Sequence, residues 1–391
     1  MIKYFRYENI YSLLLLIWCI SIPFKNAIYQ VSTLALILYF IIYIFIFKDF
    51  NSLKIIYYKY QDLFLSFIFI LLSMSISNII NDVSKTDAWH IEVMYIFRYA
   101  LIFLILIYFY SKNFFSKKTL ILYVSLSLSI QLLDGLYQNI FGSDFFYNQV
   151  SNDIPGALIG GVFHRNIFGF LMGIGVLISF IFLKNEITFK KEKFLYLIFL
   201  ILFCYCSLLS YSRAIWISLF IVGLIYILFS IKNIKLIYIG YFIIGCFMIF
   251  LLFVNIESLN NRLGLLLEGN SAYRYDIWKK SIDLILEKPF FGWGIDSWGI
   301  IGLNEFAAVH NSILEILLCT GIMGFIFFSN IFIRTIKFIY INRNLDLFLI
   351  LIYFFISSLF DQSIFESKIL LSSITIFMFY VYSIRIKIMK Y

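Results

Sequence analysis

The chain has little charge, no metal-binding spacing and no paired cysteines. Asp, Glu, Lys and Arg make up 14% of its 391 residues while hydrophobic residues make up 62%, against about 25% charged residues in ordinary soluble domains. A water-soluble globule is thereby excluded. The three histidines, His90, His164 and His310, form no H-E-x-x-H, and no D-x-D aspartate pair is present to hold a divalent ion on a nucleotide-sugar. No metal site and no cofactor are expected. The five cysteines, Cys19, Cys204, Cys206, Cys246 and Cys319, all fall in apolar runs without C-x-x-C spacing, so they read as small core residues. Alternating ten-residue strands of the outer-membrane barrel type are also missing. The net charge of +9 is scattered over short connectors. A nucleic-acid partner, which needs a gathered basic surface, is excluded.

What is present is a repeated apolar run of about 20 residues, the length an α-helix needs to cross a hydrocarbon core of about 30 Å. The fold class is therefore all-α, a polytopic integral membrane protein. Twelve transmembrane helices are predicted, at 9–24, 28–47, 62–80, 91–110, 119–140, 166–183, 194–210, 214–230, 236–254, 311–333, 345–361 and 367–384. The first run ends in Pro23-Phe24-Lys25 rather than a small-residue cleavage site, and Trp18 makes Leu16-Ile17-Trp18-Cys19 a poor lipobox. It is expected to remain as an uncleaved first helix.

Residues 1–391 read as a single transmembrane domain. Placing both termini in the cytoplasm makes every inside connector basic, as with Lys48, Lys54 and Lys59, or Lys184, Lys190, Lys191 and Lys193. That agrees with the positive-inside bias and an even span count. The outside then receives one large loop, residues 255–309, between helices 9 and 10, and a second connector, Phe141–Phe163, with no Lys or Arg. Within the large loop, Ser271–Lys288 reads as a surface helix, with Ile277, Trp278, Ile282 and Ile285 at helical spacing. Pro289 ends it, and Phe290-Phe291-Gly292-Trp293-Gly294 reads as an aromatic turn suited to the membrane interface.

Four residues stand out at the outer boundary. Arg98 lies within an apolar run, where insertion costs about 2.5–3.5 kcal/mol; it either pairs with an inward carboxylate, snorkels outward or serves function. Arg213 sits where the seventh span turns into the eighth, as an interfacial anchor or a ligand-binding group. Arg274 lies on the loop helix, where an ion pair with Asp276 or Asp283 is the bland alternative. His310 precedes Asn311-Ser312, a helix-capping pair. Taken together, arginines suit phosphate oxygens because they present fixed, always-charged donors in bidentate geometry. A histidine of near-neutral pKa suits a general base. A glycosyl donor on a lipid pyrophosphate needs that set: cations for the leaving group, a base for the acceptor hydroxyl, and no metal.

The residues Ser212-Arg213-Ala214, then Tyr273-Arg274-Tyr275-Asp276-Ile277-Trp278 and Pro289-Phe290-Phe291-Gly292-Trp293-Gly294, then His310-Asn311-Ser312-Ile313-Leu314-Glu315 running into Gly321-Ile322-Met323-Gly324, resemble the O-antigen ligase and polymerase superfamily of bacterial inner membranes. Gly161-Val162-Phe163-His164-Arg165-Asn166 is similar to the segment ahead of that family's sixth helix, with His164-Arg165-Asn166 in place of the more usual Asn-Pro-Asn.

The resemblance spans about residues 120–385. It implies a metal-independent, inverting glycosyltransferase, with undecaprenyl-pyrophosphate-linked glycan as donor and an active site at the periplasmic face. It also implies Arg213 and Arg274 as pyrophosphate-binding residues and His310 as the catalytic residue, with Arg98 a further candidate. In the ligase branch the acceptor is lipid A–core oligosaccharide. A polymerase of the same superfamily is the nearest alternative. A protein O-oligosaccharyltransferase is a third, and from a different class comes a lipid-linked oligosaccharide flippase, although its two similar halves and short loops are not evident here.

Overall fold

The computed structural model describes residues 2–81, 88–152, 154–184, 190–230, 260–261, 264, 274–295, 309–360 and 367–385. Among them the chain is helical and no strand occurs. The helices are α1 (Ile2–Ser21), α2 (Asn26–Phe47), α3 (Phe50–Ile80), α4 (Ala88–Ser111), α5 (Lys117–Phe141), α6 (Arg165–Lys184), α7 (Lys190–Leu209), α8 (Arg213–Ser230), α9 (Arg274–Glu287), α10 (Ser312–Ile341), α11 (Leu345–Phe360) and α12 (Lys368–Tyr382). Seven spans among the described residues are long and apolar enough to cross a membrane, and four shorter apolar stretches lie on α1, α4, α11 and α12. The protein is an all-helical polytopic membrane protein. The predicted ninth span, 236–254, and most of the loop 255–309 lie outside the described residues.

Two helices differ from their predicted bounds for local reasons. Asp49 caps α3 by accepting from the Ser52 backbone N–H at 3.4 Å, with the Ser52 hydroxyl donating to the same oxygen at 2.7 Å, so helix begins at Phe50 rather than near residue 62. The backbone of Tyr60 leaves the helical region (φ −119°, ψ 19°) and separates this first segment from the span Gln61–Ile80. On α10 a similar break falls at Gly321 (φ 60°, ψ −167°). That conformation is open essentially to glycine alone.

The chain forms two compact units. The first contains Met1–Ser127, Asp276–Asn344 and Gln362–Tyr391. Here α1 pairs with α2, α3 packs on α4 and α10, and α12 packs on α4. Trp18, Tyr11, Tyr29, Tyr108 and Phe109 are fully buried. A stripe including Val31, Leu38 and Phe45 on α2 faces outward, as expected of lipid contact. Because lipid tails are as apolar as a protein core, helix association rests on close packing and interhelical hydrogen bonds worth about 0.6 kcal/mol each. Such bonds join Ser21 to Ser32 at 2.7 Å, the Trp18 indole to Thr33 at 3.2 Å and Tyr29 to Ser372 at 2.8 Å.

The second unit contains Leu128–Tyr275 and Leu345–Asp361. α6 packs on α7, α8 and α11. Its small residues permit that closeness: a Cβ on Gly173 would run into the Tyr353 hydroxyl, and one on Gly175 into the Phe203 ring. The Tyr353 hydroxyl then donates to the Phe170 carbonyl at 2.9 Å.

Ion pairs occur at the ends of the helices that the charge pattern assigns to the cytoplasm. Lys112, after α4, pairs with Asp49, before α3, and donates to Ser52 at 2.8 Å. The Tyr108 hydroxyl also donates to Asp49, at 2.7 Å. Burial pushes the Asp49 carboxyl up, but the bonds from Lys112, Ser52 and Tyr108 outweigh it and hold the group below the ordinary carboxylate range. Arg334 on α10 pairs with Asp62 at 2.9 Å, and in the second unit Lys184 at the end of α6 pairs with Asp346 on α11.

Candidate functional site

In the first unit, His310 is held at the entrance to α10. Asn311 is the N-cap, its side-chain oxygen accepting from the backbone N–H of Ile313 at 3.0 Å and Leu314 at 3.1 Å. The capping role therefore falls to Asn311. His310, one residue earlier, has a left-handed backbone with φ 54°. A non-glycine residue there costs of order 1–3 kcal/mol and persists only where its surroundings enforce it. The preceding Val309 is buried, and its carbonyl accepts from the Trp278 indole at 3.1 Å. The backbone on either side of His310 is thus fixed, by the capped start of α10 and by the loop helix α9.

The aromatic turn after α9 has a different role from the interfacial one its composition predicts. The break at Gly321 removes α10's own backbone partners, and residues 289–294 supply replacements. The N–H groups of Trp293 and Gly294 donate to the carbonyls of Leu318 (2.7 Å) and Cys319 (3.1 Å). In return Ile322 and Met323 donate to Pro289 (2.8 Å) and Phe290 (3.2 Å). A Cβ on Gly321 would collide with the Phe290 backbone. Lys288 lies 3.7 Å from the Trp293 ring centroid and donates to Asn81, and Asn81 reaches the Gly292 carbonyl at 3.0 Å. The turn is a clasp tying the end of the loop to α10 and α3. Only Phe290, 67% exposed, keeps the predicted outward character.

α9 covers Arg274–Glu287, within the predicted Ser271–Lys288; residues 271–273 lie outside the described residues. Its buried face is Ile277, Ser281 and Leu284, with Trp278 and Ile285 packed beside it against Val309 and Leu318. Ile282, predicted on the apolar stripe, is 47% exposed. It sits five residues from Ile277, which on a helix of 3.6 residues per turn is well off the same face. Arg274 opens this helix, half-buried, and belongs to the second unit.

In the second unit, Arg213 is the first residue of α8, after a tight turn in which Tyr211 has φ 54° and Ser210 and Ser212 are buried. The N–H groups of Ile215 and Trp216 both donate to the Ser212 carbonyl at 3.2 Å. Arg165, the first residue of α6, donates through Nη1 to the Tyr211 carbonyl at 3.0 Å. The Arg165 guanidinium therefore reaches the turn that opens α8, whose N-terminus carries a positive partial charge. Arg165 was missed from sequence. The available signal was its place directly after a 23-residue connector with no other Lys or Arg.

That connector is ordered by acceptors. Asp134 accepts from the Phe145 N–H at 2.8 Å, Gln138 from those of Ile159 and Gly160 at 2.9 and 3.1 Å, and Asp144 from those of Tyr147 and Gln149 at 2.7 and 2.6 Å. The Leu158 N–H donates to the Leu209 carbonyl at 2.9 Å, which fixes the connector to the Arg213 turn.

Arg98 lies on α4 in the first unit, and among the described residues it neighbours an aromatic ring. Its guanidinium carbon lies 5.5 Å from the centroid of the buried Tyr29 ring. Cys19, Cys206 and Cys319 are buried as expected, Cys204 is only half-buried, and Cys246 lies outside the described residues.

Residues 197–329 match the family model described as O-antigen ligase. No curated protein matches the chain. The matched segment takes in Arg213, Arg274 and His310, and ends eight residues beyond the Gly321 break. With the helical membrane fold and these residues in the matched segment, the chain is similar to the O-antigen ligase family over residues 197–329.

Proposed function

We propose that this protein is an O-antigen ligase of the bacterial inner membrane. It transfers glycan from an undecaprenyl-pyrophosphate donor to lipid A–core oligosaccharide at the periplasmic face, with both termini in the cytoplasm. The observation that carries this reading is the coincidence of the family-matched segment with Arg213, Arg274 and His310. In the step proposed, the acceptor hydroxyl oxygen bonds to the anomeric carbon as that carbon's bond to the pyrophosphate oxygen breaks. Configuration inverts, and the hydroxyl proton passes to His310. Arg213 and Arg274 neutralise the departing pyrophosphate, so no acid is required for it. Arg165 is proposed to reinforce Arg213 from the neighbouring helix end. The strained backbone of His310 supports a positioned base, since such strain is retained where geometry matters.

Deleting the protein tests this reading on a lipopolysaccharide gel. A ligase leaves bare core while lipid-linked polymer accumulates. A core capped by a single repeat would reassign the protein as a polymerase, and donor confined to the cytoplasmic leaflet would make it a flippase.

A further inference from the structure

Two cations share one aromatic ring in the first unit. The Lys368 Nζ lies 5.5 Å from the Tyr29 centroid, the same distance as the Arg98 guanidinium carbon. The two are within Coulombic range of each other. Lys368 also donates to the Phe24 carbonyl, in the connector between α1 and α2. Tyr29 is fully buried and pinned through its hydroxyl to Ser372, so the ring is a fixed platform. Among the described residues neither cation meets a carboxylate; their partners are one ring and one carbonyl.

This arrangement is costly as it stands. A ring face attracts a cation by about 0.5–2 kcal/mol, but one ring does not neutralise two charges. Lys368 is also the first residue of α12, directly after the N-cap Ser367. A positive charge there opposes the helix dipole, which favours anions at that end. The far end of α12 lies with the cytoplasm-assigned connectors, since Tyr380 donates to the Lys117 carbonyl at 2.6 Å. Both cations therefore lie away from that end of the unit.

We propose that Arg98 and Lys368 form a binding site for a phosphate ester, with the Arg98 guanidinium and the Lys368 ammonium each donating to phosphate oxygens above Tyr29. Such charge-assisted bonds are about twice as strong as neutral ones, and the ligand removes the repulsion between the cations. Two sources supply this chemistry: a bilayer phospholipid headgroup, and a polyprenyl pyrophosphate. Only the second rests on the ligase reading. Binding is measured without transfer, so failure here leaves that reading to the deletion experiment.

The test is thermal unfolding of the purified full-length protein in phosphate-free detergent, titrated with phosphatidylglycerol or with farnesyl pyrophosphate. The wild type is expected to gain Tm with at least one of them. Arg98→Gln and Lys368→Gln should each weaken the apparent affinity about tenfold or more, while Arg98→Lys and Lys368→Arg retain most of it. A rise with phosphatidylglycerol alone assigns the headgroup, and one with farnesyl pyrophosphate alone assigns the polyprenyl pyrophosphate. Equal rises assign the phosphate group itself. Without ligand, Lys368→Gln should unfold no earlier than wild type, because it removes a repulsive charge. The proposal is overturned by no rise in the wild type, by equal affinity in the Gln variants, or by a lower ligand-free Tm or absent folding transition in Lys368→Gln.

Discussion

The two ends of the helices treat positive charge differently. Where the charge pattern assigns the cytoplasm, Lys112, Arg334 and Lys184 meet Asp49, Asp62 and Asp346. At the opposite ends in the first unit Lys288 meets Asn81 and the Trp293 ring, and Lys368 meets the Phe24 carbonyl and the Tyr29 ring. A carboxylate cancels a cation, whereas a carbonyl or a ring orients it and leaves its charge in place. The first arrangement serves the scaffold. The second holds Lys288 and Lys368 against a ring and a neutral oxygen.

The largest effects are expected at the residues proposed to carry transfer. His310→Ala should lower transfer by about 10²–10⁴-fold, the usual contribution of a general base. Arg274→Ala and Arg213→Lys should each cost about 10²–10³-fold, since a point charge does not reproduce a bidentate fork. In each case the protein should still elute as a folded species. Transfer assays on reconstituted protein read this, and full activity in any variant removes that residue from the mechanism.

At the cancelled end, Asp49→Asn should leave the Lys112 ammonium, 3% exposed, without its counter-charge. Such uncompensated burial costs about 3 kcal/mol, read as a fall in Tm with transfer chemistry intact. Because the folded Asp49 pKa is depressed, its contribution is present above the unfolded pKa and lost as pH falls through the folded value. The wild-type advantage over Asp49→Asn should therefore shrink on acidification; an advantage independent of acid pH would contradict the assignment.

A smaller loss is expected from Gly321→Ala, about 1–3 kcal/mol for the disallowed backbone alone. Protease sensitivity near residues 289–294 should accompany it if the clasp opens. The smallest effect belongs to Asp62→Asn. Its pair with Arg334 is 52% and 45% exposed, and exposed pairs contribute below about 1 kcal/mol. A large loss of stability there would show that exposure does not divide the two kinds of ion pair.

Much of this was legible in the residues, because a bilayer imposes a coarse grammar: length, apolarity and the placing of Lys and Arg. The predicted spans on described residues fall on helices, and the capping role of Asn311 follows from its side chain alone. Other features were not legible. The apolar stripe of α9 misassigned Ile282, since an exposed Ile looks like a buried one in a short window. Arg165 passed unnoticed because its partner, Tyr211, is 46 residues away. The break at Gly321 and the Pro289–Gly294 turn read as separate motifs, although each supplies the other's missing backbone partners.

By itself, the sequence determined an all-helical membrane protein, a charge-biased orientation and a short set of outer arginines and one histidine, because each is a property of a single segment against water or lipid. Only the tertiary structure decided which cations are cancelled and which are held over a ring or a carbonyl. That choice depends on which distant segment lies within about 3–6 Å, the range over which hydrogen bonds and cation–π contacts act, and no local pattern encodes it.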